Sequence, residues 1–170
     1  MLLQGWQNFY MVTSQAAATL IGLMFVAISL GADIAEAGKT KGVAPFLTST
    51  VVHFGGVMFN SLVVLAPWPS ASVPSLLLGL SAAAGIAYLA TVGRSLARIE
   101  FLNLEWDDWC YYVVIPFVAN VCLLAAAVAL ILRAPYAPYA GATGIALALL
   151  IATRNSWAVT LWIAEKRQNR

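Results

Sequence analysis

Five long apolar stretches, separated by short polar segments, dominate this chain of 170 residues. Each stretch has about 19 to 25 residues, enough at about 1.5 Å per residue to cross a hydrocarbon core of about 30 Å. The predicted spans cover residues 9–30, 46–66, 74–92, 111–132 and 139–163. The pattern predicts an all-α fold, an integral membrane helical bundle of five transmembrane helices, with residues 1–170 forming a single membrane domain.

Composition agrees with this pattern. Hydrophobic residues make up 62% of the chain and charged residues only 9%, with a mean hydropathy of +0.85. Soluble domains carry about 25% charged residues. The remaining polar segments are too short to form a separate soluble domain, so we expect any activity to reside in the membrane or at its surfaces.

The basic residues predict the orientation of the bundle. Of the nine Lys and Arg residues, one lies inside the fifth span and eight lie in the segments between or after spans. Seven of these eight fall on one face of a five-span arrangement: Lys39, Lys41, Arg94, Arg98, Lys166, Arg167 and Arg170. Only Arg133 falls on the other face. Because cytoplasmic loops are enriched in Lys and Arg, the N-terminus is predicted outside and the C-terminus in the cytoplasm.

Polar side chains inside the spans are the candidate functional groups. They are expected to point into the bundle, because lipid offers no hydrogen-bond partners. This expectation covers Gln15 and Thr19 in the first span. The candidate pore or ligand residues are His53, Asn60, Asn120, Arg154 and Asn155. Counting from the span ends places His53, Asn120 and Arg154 in one tier, roughly 10–14 Å from the inner surface.

Arg154 is the most costly of these residues to insert. An arginine at a span centre costs about 2.5–3.5 kcal/mol on insertion scales. No predicted span contains Asp or Glu to neutralise it. Arg154 either extends its side chain to the interface or binds an anion, a lipid phosphate or a polar solute.

Small residues predict close helix packing. Ser14, Ala18 and Gly22 recur every four residues along the first span, a spacing that lets helix backbones approach closely. The seam serves either packing within one chain or a homo-oligomer, and we expect helix one to contribute to a homo-oligomer.

Sequence motifs for enzymes are missing. The chain has no phosphate-binding loop, no zinc-protease motif and no nucleophile elbow. A single histidine, His53, cannot by itself form a zinc or bis-histidine haem site. The sequence therefore predicts a protein that is not an enzyme, with no cofactor, no metal and no nucleic-acid partner.

Residues 94–110 are expected to form a cytoplasmic interfacial segment rich in aromatic residues.

Several short segments resemble a widespread group of small, uncharacterised bacterial multi-span membrane proteins. They are Trp6-Gln7-Asn8-Phe9, residues 16–30, Glu105-Trp106-Asp107-Asp108-Trp109, Pro116 and Arg154-Asn155-Ser156-Trp157. The resemblance implies a multi-pass protein of the bacterial inner (cytoplasmic) membrane. Relatives of this kind often carry an acidic residue where this chain has Ala158, so Arg154 lacks that i+4 partner here.

Two functions remain open from the sequence. The first is a homo-oligomeric channel or transporter-like pore that passes an anion or small polar solute along the five polar residues listed above. The alternative is a non-enzymatic membrane adaptor or regulatory subunit, which binds a partner protein or a phospholipid through helix one and residues 94–109.

Overall fold

The computed structural model describes residues 5–30, 44–97 and 109–168. Within these ranges the chain is helical, with no β-strand. The helices are α1 (Gln7–Leu30), α2 (Ala44–Leu65), α3 (Ser72–Ala97), α4 (Ile115–Ile131) and α5 (Ala137–Gln168), and a π-helical turn (Cys110–Val114) leads into α4.

The five predicted spans are confirmed as helices. Each has the length and composition needed to cross a membrane, which points to a multi-pass membrane protein. The largest differences are in α3 and α5, each of which extends five residues past the predicted end of its span. Most of the predicted interfacial segment, residues 98–108, lies outside the described residues, as does the first polar connection.

Helices α2, α5, α4 and α3 form a ring, and α1 packs outside it against α2 and α5. Successive helices run in opposite directions. One end of the bundle, here the Gln7 end, holds the starts of α1, α3 and α5, and the other, the Leu30 end, holds their C-terminal ends. Trp6 and Tyr139 meet edge to face at the Gln7 end, with ring centroids 4.9 Å apart.

Among the described residues, helix α1 packs against the bundle through one face. Tyr10, Ala17 and Met24 are buried on that face, and the Tyr10 hydroxyl donates to the Pro138 carbonyl of α5 at 3.1 Å. Such spacing by seven residues gives one helix face. Gln15 lies on the other face and is exposed, as is Thr19. The expectation that these two side chains point into the bundle is therefore wrong for the single chain.

Helices α4 and α5 pack most tightly, and glycines explain why. A Cβ on Gly144 would lie 2.7 Å from the Ala119 carbonyl oxygen and 3.0 Å from Leu123 Cγ. Only glycine allows this close crossing of the two backbones. At their joint, Arg133 adopts a positive φ of 53°, and the Ala134 N–H donates to the Ala129 carbonyl at 2.8 Å, as in a Schellman turn.

The neighbouring pair α2 and α3 is different. A short connection joins these helices, yet they share far less contact than α4 and α5. Helix α2 instead packs mainly on α1 and α5, and α3 packs mainly on α4. The two helices follow each other in the sequence, but a cavity occupies much of the space between them.

Candidate functional site

A cavity of about 530 Å³ lies between α2 and α3, and α4 and α5 form its back wall. Small-molecule sites typically have volumes of about 300–1,000 Å³. Val52, Phe59 and Leu80 line the cavity and are themselves 43%, 44% and 58% exposed on the outside of the bundle. The cavity therefore opens sideways, at the surface that faces the hydrocarbon core of the bilayer.

Three of the five candidate residues line this cavity: His53 and Asn60 from α2 and Asn120 from α4. The structure thus joins polar side chains that lie 60 to 67 positions apart in the sequence. His53 and Asn60 are buried, with 9% and 3% of their surface exposed, and Asn120 is partly buried. The rest of the lining is mostly aliphatic or aromatic.

The three polar residues make the same local hydrogen bond, each to the carbonyl one turn earlier in its helix. Asn60 Nδ2 donates to Gly56 O at 2.8 Å, and Asn120 Nδ2 donates to Pro116 O at 2.8 Å. His53 Nδ1 lies 2.6 Å from the Ser49 carbonyl. Because a carbonyl oxygen only accepts, Nδ1 must carry the proton.

These bonds leave one acceptor atom uncommitted on each of the three residues. The free atoms are Asn60 Oδ1, Asn120 Oδ1 and His53 Nε2, none of which has a hydrogen-bond partner among the described residues. Asn60 Oδ1 is fully buried without a partner, a condition that costs about 1–3 kcal/mol. It therefore does not face the open space of the cavity, and the acceptors that a ligand can reach are Asn120 Oδ1 and His53 Nε2.

Gly85 makes room for one of these acceptors. It lies on α3 beside Asn120, and a Cβ at this position would overlap the Asn120 Oδ1 and lie 2.8 Å from its Cγ. Glycine at this position lets the carboxamide of α4 extend over the α3 backbone. Gly85 also lines the cavity, so the missing side chain at this position leaves the space that the Asn120 carboxamide occupies beside the cavity.

Tyr88 of α3 lies near Ser49 of α2, beside the part of the cavity that His53 lines. Ser49 is buried, and its carbonyl receives the His53 N–H. Polar side chains of α2 and α3 therefore approach each other next to His53.

Arg154 and Asn155 lie elsewhere. Neither lines the cavity. The Arg154 guanidinium stacks over the Tyr111 ring, with Cζ 4.0 Å from the centroid, and one of its N–H groups donates to Asn155 Oδ1 at 3.4 Å. Asn155 is fully buried, and its Nδ2 has no partner among the described residues. This pair is therefore rich in hydrogen-bond donors, whereas the cavity leaves acceptor atoms unpaired.

The π-helical turn presents Tyr111 to Arg154. Pro116 has no backbone N–H, and a proline ring crowds the carbonyl four residues before it. The turn before it widens, and the Ile115 N–H donates to the Cys110 carbonyl. Tyr111 precedes Asn120 by about 13 Å of helix, so Arg154 lies nearer the Leu30 end than Asn120 and does not share its tier.

Sequence reasoning identified the polar residues but not the residues that shape the cavity. Gly85, Ser81 and Tyr88 of α3 were not singled out. The usable signal was the serine, glycine and tyrosine at spacings of four and three residues, which places them along one helix face. Among the described residues, no three His, Cys, Asp or Glu side chains cluster as metal ligands would.

Comparison with known proteins gives no further assignment: no family model, curated protein or solved structure matches this chain.

Proposed function

We propose that this protein is a non-enzymatic membrane protein that binds a lipid-soluble ligand in the cavity between α2 and α3, as an adaptor or regulatory subunit would. The cavity itself is the observation that carries the proposal. It combines a ligand-sized volume, an apolar lining and a few polar groups at fixed positions, the usual features of a small-molecule site.

The position of the opening supports a ligand that arrives through the bilayer. The mouth lies between α2 and α3, where Phe59 and Leu80 are exposed on the membrane-facing surface. A water-soluble ion would have to cross hydrocarbon to reach this opening, at a cost of many kcal/mol. A lipid-soluble molecule enters with its apolar surface already removed from water.

The distribution of polar groups favours this function over a single polar path through one chain. His53, Asn60 and Asn120 line the cavity, whereas Arg154 and Asn155 lie outside it, and Arg154 stacks on Tyr111, about 13 Å of helix before Asn120. Their chemistry also differs, because the cavity leaves acceptor atoms unpaired, whereas the Arg154 guanidinium carries only hydrogen-bond donors. The experiment that tests this function measures the compound retained by the purified protein, with the cavity open or filled.

A homo-oligomeric pore is the second candidate, supported by the free face of α1. Gln15, Ala18 and Gly22 are exposed there, whereas Ser14 is buried against the bundle. A Cβ on Gly22 would meet nothing within 4 Å in the single chain. The Gln15 side chain has no hydrogen-bond partner in the described part of the chain, and a second copy of α1 would supply one. In this assembly Arg154 would bind the anion.

Gly22→Leu tests this assembly. The added side chain would keep two α1 helices apart, so the variant is expected to run as a monomer where the wild type runs as an oligomer. Mass photometry or cross-linking in nanodiscs measures the state. The control is Gly93→Leu, on α3, where a Cβ also meets nothing within 4 Å. A wild-type protein that is monomeric in several mild detergents and in nanodiscs would rule out the pore.

We also propose that the Leu30 end faces the cytoplasm, in a bacterial inner membrane, with seven of the eight Lys and Arg residues outside the spans supporting this orientation. A reporter that is active only in the cytoplasm is expected to be active when fused after Arg170 and inactive when inserted after Ser70. Equal activity at both positions would contradict this orientation.

A further inference from the structure

We infer that the ligand of the α2–α3 cavity is a neutral amphiphile that donates hydrogen bonds, with a hydroxyl or N–H group on an apolar body. This inference rests on the proposed function and specifies the chemistry of its ligand.

The three polar residues share one hydrogen-bond pattern. Each donates one N–H to a carbonyl of its own helix, at 2.6 to 2.8 Å. Each asparagine keeps a second N–H, but His53 Nε2 and both Oδ1 atoms are acceptors without a partner among the described residues. Asn60 Oδ1 has almost no exposed surface, so a ligand in the cavity gains most by bringing donors to Asn120 Oδ1 and His53 Nε2.

The polar residues are spread along the cavity and around it. His53 and Asn60 are seven residues apart on α2, a rise of about 10 Å. Asn120 lies on α4 and contacts Gly85 of α3. The rest of the lining is mostly apolar, so a molecule with an apolar body and one polar group fits this arrangement.

The same acceptors disfavour an anion. A carboxylate or phosphate would bring lone pairs against lone pairs, in a low-dielectric site where such contacts are repulsive. None of the described residues that line the cavity is Lys or Arg. The hydroxyls of Ser81 and Tyr88 also line it, but a hydroxyl both donates and accepts, so these two do not alter the preference.

The test uses two probes that differ in one hydrogen-bond donor, 4-nonylphenol and its methyl ether, 4-nonylanisole. Equilibrium binding of each radiolabelled probe is measured on the full-length protein in nanodiscs, and binding to empty nanodiscs of the same lipid is subtracted. The phenol is expected to bind about tenfold more tightly than the ether, the effect of one buried hydrogen bond. Inorganic phosphate is expected not to compete.

Variants then locate the hydrogen bond. Asn120→Leu and His53→Leu each remove one acceptor, and at least one is expected to bring the phenol-to-ether affinity ratio to about one while saturable ether binding remains. A substitution that only distorts the fold would weaken the binding of both probes equally and leave the phenol-to-ether affinity ratio unchanged. Gln15→Leu is the matched control, because Gln15 is a polar residue exposed on the outside of α1, and its ratio is expected to equal that of the wild type.

The outcomes separate the two claims. Saturable binding of both probes with equal affinity to the wild type would overturn the inference about donors and leave a ligand cavity in place. The absence of saturable binding for both probes would contradict the proposed function itself. An unchanged ratio in both the Asn120→Leu and the His53→Leu protein would also overturn the inference, because the preference would then arise elsewhere.

Discussion

Gly144→Ala is expected to destabilise the bundle, although alanine is normally the better helix former. Its Cβ would lie 2.7 Å from the Ala119 carbonyl oxygen, a backbone atom that cannot move aside without separating α4 from α5. Overpacking of this kind costs about 1–3 kcal/mol. Thermal unfolding in a mild detergent measures the effect as a lower midpoint.

Gly93→Ala is expected to have the opposite effect on thermal stability. Gly93 lies in α3, and a Cβ there meets nothing within 4 Å. Replacing a helical glycine with alanine at such a site stabilises a helix by up to about 1 kcal/mol. The Gly93 variant should therefore unfold at or above the wild-type temperature. If the two variants unfolded at the same temperature, the close crossing of α4 and α5 would be contradicted.

Ala84→Phe is expected to remove ligand binding from the cavity. Ala84 is exposed and lines the cavity on α3. A phenylalanine side chain at this position would occupy the space at the mouth, and a loss of about 1.4 kcal/mol already lowers affinity tenfold. The substitution does not alter His53, Asn60 or Asn120. The amount of lipid-soluble compound extracted per mole of purified protein is the measurement, and it should fall at least about tenfold.

Ala83→Phe is the matched control. Ala83 is the preceding residue of the same helix, exposed like Ala84, but it does not line the cavity. Both variants add the same side chain to the membrane-facing surface of α3. Equal loss of ligand in the two variants would indicate a general effect of the added phenylalanine, and retention in both would contradict binding in this cavity.

Hydropathy predicted the five helices because burial in lipid depends on composition, which is visible along the sequence. It overlooked the extension of α5, where the polar residues Glu165 to Gln168 continue the helix past the apolar stretch. A helix of 32 residues is about 48 Å long and exceeds the hydrocarbon core. Hydrogen bonding within the helix continues in the polar region, so the apolar pattern does not mark its end.

The rotation of each helix could not be predicted. Helices that are apolar on all sides give little sign of which face meets protein and which meets lipid. Gln15 was expected inside and lies outside, because α1 has neighbours on one face only. His53 and Asn120 were placed in a common tier, and they do line one cavity. Arg154 was placed with them, but the contact with Tyr111 draws it towards the Leu30 end.

The cavity itself has no sequence signature. It arises because α2 packs on α1 and α5 while α3 packs on α4, so the two neighbours in sequence remain apart. Pairings of this kind depend on small contacts such as Gly144 against Ala119. The sequence therefore showed the candidate functional groups as polar residues in apolar spans. It did not show that His53, Asn60 and Asn120 line one cavity while Arg154 and Asn155 form a separate pair.

The most direct test of the account is to identify what the wild-type protein carries after gentle purification. Native mass spectrometry followed by extraction is predicted to show about one neutral compound per chain, with a hydroxyl or N–H group. That compound should be retained by the Ala83→Phe protein and missing from the Ala84→Phe protein. The account would be contradicted if all three proteins carried nothing but bulk membrane lipids, in the same amounts and proportions.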